Sequence, residues 1–289
     1  MAKEIVILSG KGGTGKTSLS ASFAMLADNP VIADCDVDAA NLHLLLDAKT
    51  EEDYPFVSGH VAVIDAALCT GCARCVRYCS YDAIDRDGRI YRVDPIRCEG
   101  CALCLKVCPS AAIDFPESEC GRWMVSSTKA GPMVHAHLHP GAENSGKLVT
   151  LVRKEASNLS DTLGKDIIIS DGPPGIGCPV IASMTNTDMV VLVTEPSLSA
   201  IHDVERVIRL ARSFGIPLVG CINKADIDLE LSNDIKNLFS EAGVSYAGSV
   251  DYDEQIVKAQ VLGLSPIELV GKKTIKQIEH IWESIWNMM

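Results

Sequence analysis

The chain lacks any apolar run approaching the ~18 residues that a membrane-spanning helix needs, and it is short of positive charge. Against 38 acidic residues stand 26 lysines and arginines, giving a formal charge of −12. A general nucleic-acid binder usually presents a basic face, so this balance argues against nucleic acid as a partner. A secretory leader is not expected either. The opening "MAKEIVILSGKGG" carries only the short apolar stretch Ile5–Leu8 before polar, glycine-rich sequence. The expected location is cytoplasmic, where a reducing thiol pool excludes reading the twelve cysteines as a disulfide framework. With 289 residues and 47% hydrophobic content, the chain can still bury at least one sizeable core.

What the sequence does contain is an internal repeat. Residues 63–84, "VIDAALCTGCARCVRYCSYDAI", return as residues 92–113, "RVDPIRCEGCALCLKVCPSAAI", at an offset of 29 positions. Each copy holds C-x2-C-x2-C-x3-C. This is the spacing of bacterial two-cluster ferredoxins, in which three cysteines of one run share a [4Fe–4S] cubane with the fourth of the other. The expected ligand sets are Cys69, Cys72, Cys75 and Cys108 for one cluster, and Cys98, Cys101, Cys104 and Cys79 for the second. Pro109 follows Cys108 as the pattern requires, whereas Ser80 stands after Cys79. Zinc is the alternative for paired C-x2-C sequences, but zinc sites seldom take four cysteines per run twice over. Of the other four cysteines, Cys35 and Cys221 read as packing residues in apolar strand ends, while Cys120 and Cys178 are scattered.

The N-terminus reads as strand, glycine-rich turn and helix. Gly10 to Thr17 satisfies G-x4-G-K-T, a loop whose backbone N–H groups cradle phosphates at a helix N-terminus. Gly10, Lys11, Gly12, Gly13, Thr14, Gly15, Lys16, Thr17 and Ser18 form the expected nucleotide cradle. Lys16 is expected to reach the terminal phosphates, and the Thr17 hydroxyl to bind Mg2+. Further along, "DMVVLVTEPS" (188–197) and "PLVGCINKAD" (217–226) are apolar strands that follow helical stretches, which points to a parallel sheet covered on both faces.

The form "KGGTGKT" resembles the deviant Walker loop of the MinD/ParA class of P-loop ATPases, which includes the nitrogenase iron protein and the Mrp-type cluster carriers. The resemblance implies that Lys11 reaches across a dimer interface to the partner's nucleotide. "PVIADCDVDAANLHLLL" (30–46) resembles switch I, with Asp36 positioning the attacking water and Asp34 supporting the magnesium shell. "DIIISDGPPGIG" (166–177) resembles Walker B and switch II, with Asp171 holding Mg2+. Asn223, just past a strand, stands where the class contacts the base. Asn223–Asp226 also fits the N-K-x-D pattern that reads guanine, so GTP is the alternative to the ATP that the loop form favours.

The strand–helix order breaks after Leu46 and resumes near Lys147, which places the cysteine repeat inside the ATPase. Residues 1–54 and 118–289 are the expected two parts of the P-loop domain, and 55–117 an inserted ferredoxin domain. The whole chain resembles MinD-superfamily ATPases containing such an insert. The implied fold is α/β, a mostly parallel sheet with helices on both faces plus a small α+β ferredoxin-like domain. The implied cofactors are ATP, Mg2+ and two [4Fe–4S] clusters. The implied partners are a second copy or a paralogue in a nucleotide-dependent dimer, and a redox or cluster-accepting protein.

Four features stay outside this pattern. His135, His137 and His139 recur at period two and so share one face of a strand. They offer a metal or cluster-cargo site, or a polar face on an edge strand. Glu143–Lys147 reads as a turn that contacts a partner. Cys178 bridges a cluster only if paired across a two-fold axis, and otherwise is structural. The tail presents Ile275, Ile278, Trp282, Ile285 and Met289 on one helix face, either docked on the sheet or lying on a membrane; the balance of its charges favours docking. Three functions follow: ATP-gated electron transfer or conformational control of a partner, metal-cluster assembly or delivery, and a MinD-like positioning switch whose clusters are sensory or structural. Hydrolysis is expected to be slow without a partner.

Overall fold

A computed structural model describes residues 2–142 and 145–289; Glu143 and Asn144 lie outside the described residues. The elements run β1 (Lys3–Ser9), α1 (Lys16–Leu26), β2 (Pro30–Asp34), α2 (Leu42–Leu45) and a long β3 (Lys49–His60). The cysteine segment follows as β4 (Val63–Ile64), α3 (Arg74–Tyr78), β5 (Ile84–Asp87), β6 (Ile90–Val93), α4 (Leu103–Val107) and β7 (Ile113–Asp114). Then come β8 (Glu117–Ser127), β9 (Pro132–Leu138), α5 (Ser145–Leu163), β10 (Ile167–Pro174), α6 (Cys178–Met184), β11 (Met189–Thr194) and α7 (Leu198–Ser213). The chain closes with β12 (Leu218–Asn223), α8 (Leu229–Glu241), β13 (Ser245–Val250), α9 (Glu254–Val261) and α10 (Lys272–Met288). Two compact units result: Met1–Asp53 with Trp123–His137 and Ser145–Met289, and Tyr54–Arg122 with Leu138–Asn144.

The main sheet has nine strands in the order β13-β12-β11-β1-β10-β2-β9-β8-β3. Every pairing from β13 to β9 is parallel. The α/β class and the mostly parallel sheet expected from the sequence are therefore found. The reason lies in strands such as β1, where side chains alternate between two covered faces. Ile5 and Ile7 enter one core with Phe23, Ile32 and Ile278, while Val6 and Leu8 enter another with Val204, Val207 and Phe239. The face of α10 formed by Ile278, Ile281, Trp282 and Ile285 is buried in the first of these cores, and the Trp282 ring stacks on Phe23 at 5.6 Å. The amphipathic tail thus docks on the sheet, and no described helix is long and apolar enough to cross a membrane.

Two expectations need correction. The sheet resumes at β8 and β9, well before Lys147, which lies in helix α5. Moreover β9 sits between β2 and β8, so His135 and His137 are not on an edge strand. The true edge on this side is β3, "KTEEDYPFVSGH". Its acidic, exposed first half lacks the apolar alternation that marks a strand in sequence.

In the second unit the sequence repeat becomes a backbone repeat. Ala73 and Ala102 both take φ 60, Gly71 and Gly100 take 69 and 63, and Asp82 and Ala111 take 48 and 50. A Cβ at Gly71 would stand 2.3 Å from the Arg89 carbonyl, and one at Gly100 2.5 Å from that of His60, so both turns require glycine. Two short antiparallel ribbons, β4/β7 and β5/β6, enclose a small core of Ala62, Cys75, Ile84 and Ile113. Four more of the repeat cysteines pack partly buried around it.

Candidate functional site

The loop from Gly10 to Thr17 turns β1 into α1 and is braced by two side chains. Asn223 Nδ2 donates to the Thr14 carbonyl at 2.9 Å, and Lys224 Nζ to that of Gly13 at 3.0 Å. Gly15 sits at φ 90, and a Cβ there would strike the Asn223 amide at 2.1 Å. In contrast, a Cβ on Gly12 or Gly13 would meet nothing within 4 Å. The Thr14 hydroxyl is buried without a partner.

In front of the loop lies a cavity of about 600 Å³, bounded on one side by Asp36 and Asp38 and on the other by Asn223, Lys224 and three residues of α9. Lys16 reaches into an acidic cluster, with Nζ 2.8 Å from Asp171 Oδ1 and 3.7 Å from Asp36 Oδ2. Burial alone would lower its pKa, but the charges of Asp171 and Asp36 outweigh this and hold it raised. Thr17 Oγ1 donates to Asp171 Oδ2 at 2.8 Å, and Ser20 Oγ to Asp171 Oδ1 at 2.6 Å. Asp34, the last residue of β2, stands in direct register with Asp171 of the adjacent β10. Asp34 is fully buried and accepts the N–H groups of Asp36 and Leu42, each at 3.1 Å. Burial, reinforced by the charge of Asp171, pushes its carboxyl up to about 8. Burial likewise raises Asp36. The pairing of Thr17 with Asp171 in front of Lys16 suits a magnesium-bound phosphate, whereas Asp34 stands behind it.

Lys11 is held within its own chain, 2.9 Å from Glu195 Oε1, 3.0 Å from Ser197 Oγ and 3.1 Å from Ser199 Oγ. Glu195 also pairs with Lys224 at 2.7 Å. Burial would raise the Glu195 carboxyl, but Lys224 and Lys11 bring it below its ordinary value. Sequence reasoning missed Glu195, Lys224, and Ile256, Val257 and Gln260 of α9. Only Lys224 carried a signal, as the neighbour of Asn223. Asn223 itself is the last residue of β12 rather than a residue beyond it. Asp226 accepts the Tyr252 N–H at 2.6 Å and is absent from the cavity wall.

The eight repeat cysteines line two separate cavities. Cys69, Cys72, Cys75 and Cys108 face one, and Cys79, Cys98, Cys101 and Cys104 face the other. Among the described residues, no three His, Cys, Asp or Glu side chains close round a point where one metal ion could sit. A zinc ion needs its sulfurs ~2.3 Å from a single centre. Thiols spread around a cavity fit a polynuclear group instead. Cys108 Sγ accepts the Ala112 N–H at 3.3 Å and lies 3.7 Å from Ser110 Oγ, contacts that support a thiolate at this position.

The remaining candidates divide. His135 is buried, bonded to Ser126 at 2.8 Å and stacked on His43 at 5.2 Å. Burial and the neighbouring His43 bring its pKa down to about 4. His137 is exposed on β9. His139 lies beyond the strand, in the wall of a cavity of about 480 Å³ that also touches Cys98 and Cys120. Cys35 and Cys221 are fully buried, whereas Cys178 is exposed at the start of α6.

Residues 62–115 match the family model described as a 4Fe-4S dicluster domain. Uncharacterized protein MJ0578 of Methanocaldococcus jannaschii is 35% identical over 224 residues, 76% of this chain and 78% of its own length. The chloroplastic septum site-determining protein minD homolog of Arabidopsis thaliana is 26% identical over 266 residues, 88% of this chain and 65% of its own. The fold matches the septum site-determining protein MinD of Pyrococcus horikoshii, solved with Mg-ADP. That match has a TM-score of 0.60 at 17% identity and covers 100% of this chain and 97% of that one. The chain belongs to the same family as MJ0578, within the MinD/ParA superfamily of P-loop ATPases, and carries an inserted ferredoxin domain of the 4Fe-4S dicluster type.

Proposed function

We propose that the protein is an ATP-driven switch whose nucleotide state is coupled to an iron–sulfur redox module, controlling electron transfer to, or the conformation of, a protein partner. The observation that carries this reading is the double engagement of Asp34. Its carboxyl feels the charge of Asp171, in register with it on the neighbouring strand, and it accepts the N–H groups of Asp36 and Leu42. From Leu42 the chain runs through α2 into β3 and from Tyr54 into the cysteine unit. A magnesium nucleotide that recruits Thr17 and Asp171 frees Lys16 for the terminal phosphates and changes the field at Asp34. The segment leading into the insert begins at that carboxylate.

Asp36, in the cavity wall, orients the attacking water, and the loop N–H groups with Lys16 take up the developing phosphate charge. ATP is favoured over GTP because Asp226, the residue that would read guanine, is absent from the cavity wall and accepts the Tyr252 N–H. Lys11 reaches a partner's nucleotide only after leaving Glu195, Ser197 and Ser199, so closure of a dimer is coupled to release of that latch. When bound, two [4Fe–4S] groups, one on Cys69, Cys72, Cys75 and Cys108 and one on Cys98, Cys101, Cys104 and Cys79, supply one-electron storage. A delivery role is the second reading, favoured by the exposed Cys178 thiol directly after the switch II segment.

Coupling is reciprocal, so reduction of the clusters must change ATP affinity by the factor by which ATP changes their reduction. MgATP affinity measured on oxidised and dithionite-reduced holoprotein is expected to differ by about 5–150-fold, the usual range of such couplings. Equal affinities in both states would remove the redox reading and leave delivery or positioning.

A further inference from the structure

The two thiol cavities are built from residues 29 positions apart in the repeat. Ala73, Ala112 and Ile113 in the wall of the first correspond to Ala102, Ala83 and Ile84 in the wall of the second. Their ligands are of one type, and in each set the middle cysteine of the run, Cys72 or Cys101, is the exposed one. Against this matched background, two differences bear directly on charge at the thiols.

The first difference lies beside the crossover cysteine. Cys108 Sγ accepts the Ala112 N–H at 3.3 Å and has the Ser110 hydroxyl at 3.7 Å. At Cys79 the corresponding residues are Ala83 and Tyr81, and among the described residues neither makes such a bond to the sulfur. The second difference lies within the runs. Glu99 lines the cavity of Cys98, whereas its counterpart Thr70 lines the other, whose wall contains no carboxylate.

Both differences act in the same direction. A hydrogen bond to a ligand sulfur draws off electron density and stabilises the reduced, more negative state. A carboxylate beside a cluster penalises the added electron by charge repulsion, and this falls on the opposite cavity. Resting on the cluster reading proposed above, we infer that Ser110 and Glu99 set the two sites apart in reduction potential. The site of Cys69, Cys72, Cys75 and Cys108 has the higher potential, and the site of Cys98, Cys101, Cys104 and Cys79 the lower. An electron entering the pair therefore settles on the Cys108 side. Neither residue is a ligand; both are tuning residues.

The test is a potentiometric titration of the anaerobically purified full-length holoprotein, followed by EPR after iron and sulfide assays establish two cubanes per chain. Two reduction waves are expected. Ser110→Ala should move the upper wave to more negative potential and leave the lower in place. Glu99→Gln should move the lower wave to less negative potential and leave the upper in place, so each variant narrows the gap. The assignment is overturned if Ser110→Ala shifts the lower wave, if Glu99→Gln shifts the upper, or if both are silent on fully loaded protein. A chain that holds no cubane overturns the cluster reading itself, a separate outcome visible in the iron assay. Glu99 is exposed and is not one of the ligands, so its variant keeps the test available if Ser110→Ala fails to load.

Discussion

In the nucleotide unit, the charges of the phosphate site are met by other protein groups. Lys16 lies on Asp171 and Asp36, Lys11 and Lys224 share Glu195, and Asp34 holds two backbone N–H groups. Its core lies on both faces of a wide sheet and needs no ligand to be complete. The cysteine unit is the reverse. Its core is small, its ribbons are short, and much of the packing around that core is the repeat cysteines themselves. One unit is expected to fold and then bind, and the other to be held together by what it binds. Binding energy in the first is available for switching, and in the second it is largely folding energy.

The sharpest test of this contrast is removal of the metal or of a central ligand. Iron chelation, or Cys75→Ala, is expected to abolish hydrogen-exchange protection across residues 62–115 while amides of β1, β10 and β11 stay protected. Hydrogen exchange followed by mass spectrometry reads both units at once. Equal loss in both would erase the distinction. Next in size, Trp282→Ala removes a core ring stacked on Phe23 and should cost ~3–5 kcal/mol of first-unit stability in denaturant unfolding. Trp286→Ala, on a side chain 48% exposed, should stay within ~0.5 kcal/mol. A Trp286 effect as large as that of Trp282 would mean that the tail docks by another face.

The legibility of the molecule follows the same division. The P-loop, the eight cysteines and the central strands were readable because each obeys a local rule: a fixed spacing, or a continuous apolar run for a strand covered on both sides. The edge strand β3 was not, because an exposed edge carries Glu51, Glu52 and Asp53 to discourage pairing and so hides its period. Helix α9 was missed as part of the site because Ile256 and Val257 reach the cavity only through the return of the chain after β13. Glu195 was missed because nothing in "TEPS" announces that two lysines, one from the loop and one beyond β12, converge on it. His135 illustrates the opposite error. Period two put three histidines on one face, but burial turned the first into a neutral packing residue, stacked on His43.

Smaller effects sharpen the electrostatic side of the comparison. Asp34 has a folded pKa of about 8 against an ordinary 3.8, so the folded state holds a proton that the unfolded state has lost. Its contribution is therefore fully favourable below pH ~4 and declines as pH rises towards 8 in the nucleotide-free protein, by on the order of 1 kcal/mol per pH unit. Asp34→Asn should flatten the stability–pH slope in this window relative to wild type, as read by urea unfolding at successive pH values. An unchanged slope would place the proton elsewhere in the acidic cluster. Smallest of all, Glu195→Gln should cost no more than ~1 kcal/mol, since both of its ion pairs are partly exposed. The loss should shrink at high salt; a salt-independent loss would point to packing rather than charge.

The measurement closest to the central claim is the reduction midpoint of the anaerobic holoprotein, titrated by EPR without nucleotide and with a non-hydrolysable MgATP analogue. If the acidic cluster around Asp34 communicates with the inserted unit, at least one wave shifts or changes lineshape on binding, and Lys16→Ala abolishes the response. Waves that stay in place while the analogue demonstrably occupies the cavity would contradict the account, leaving an ATPase and a ferredoxin that share a chain without sharing a function.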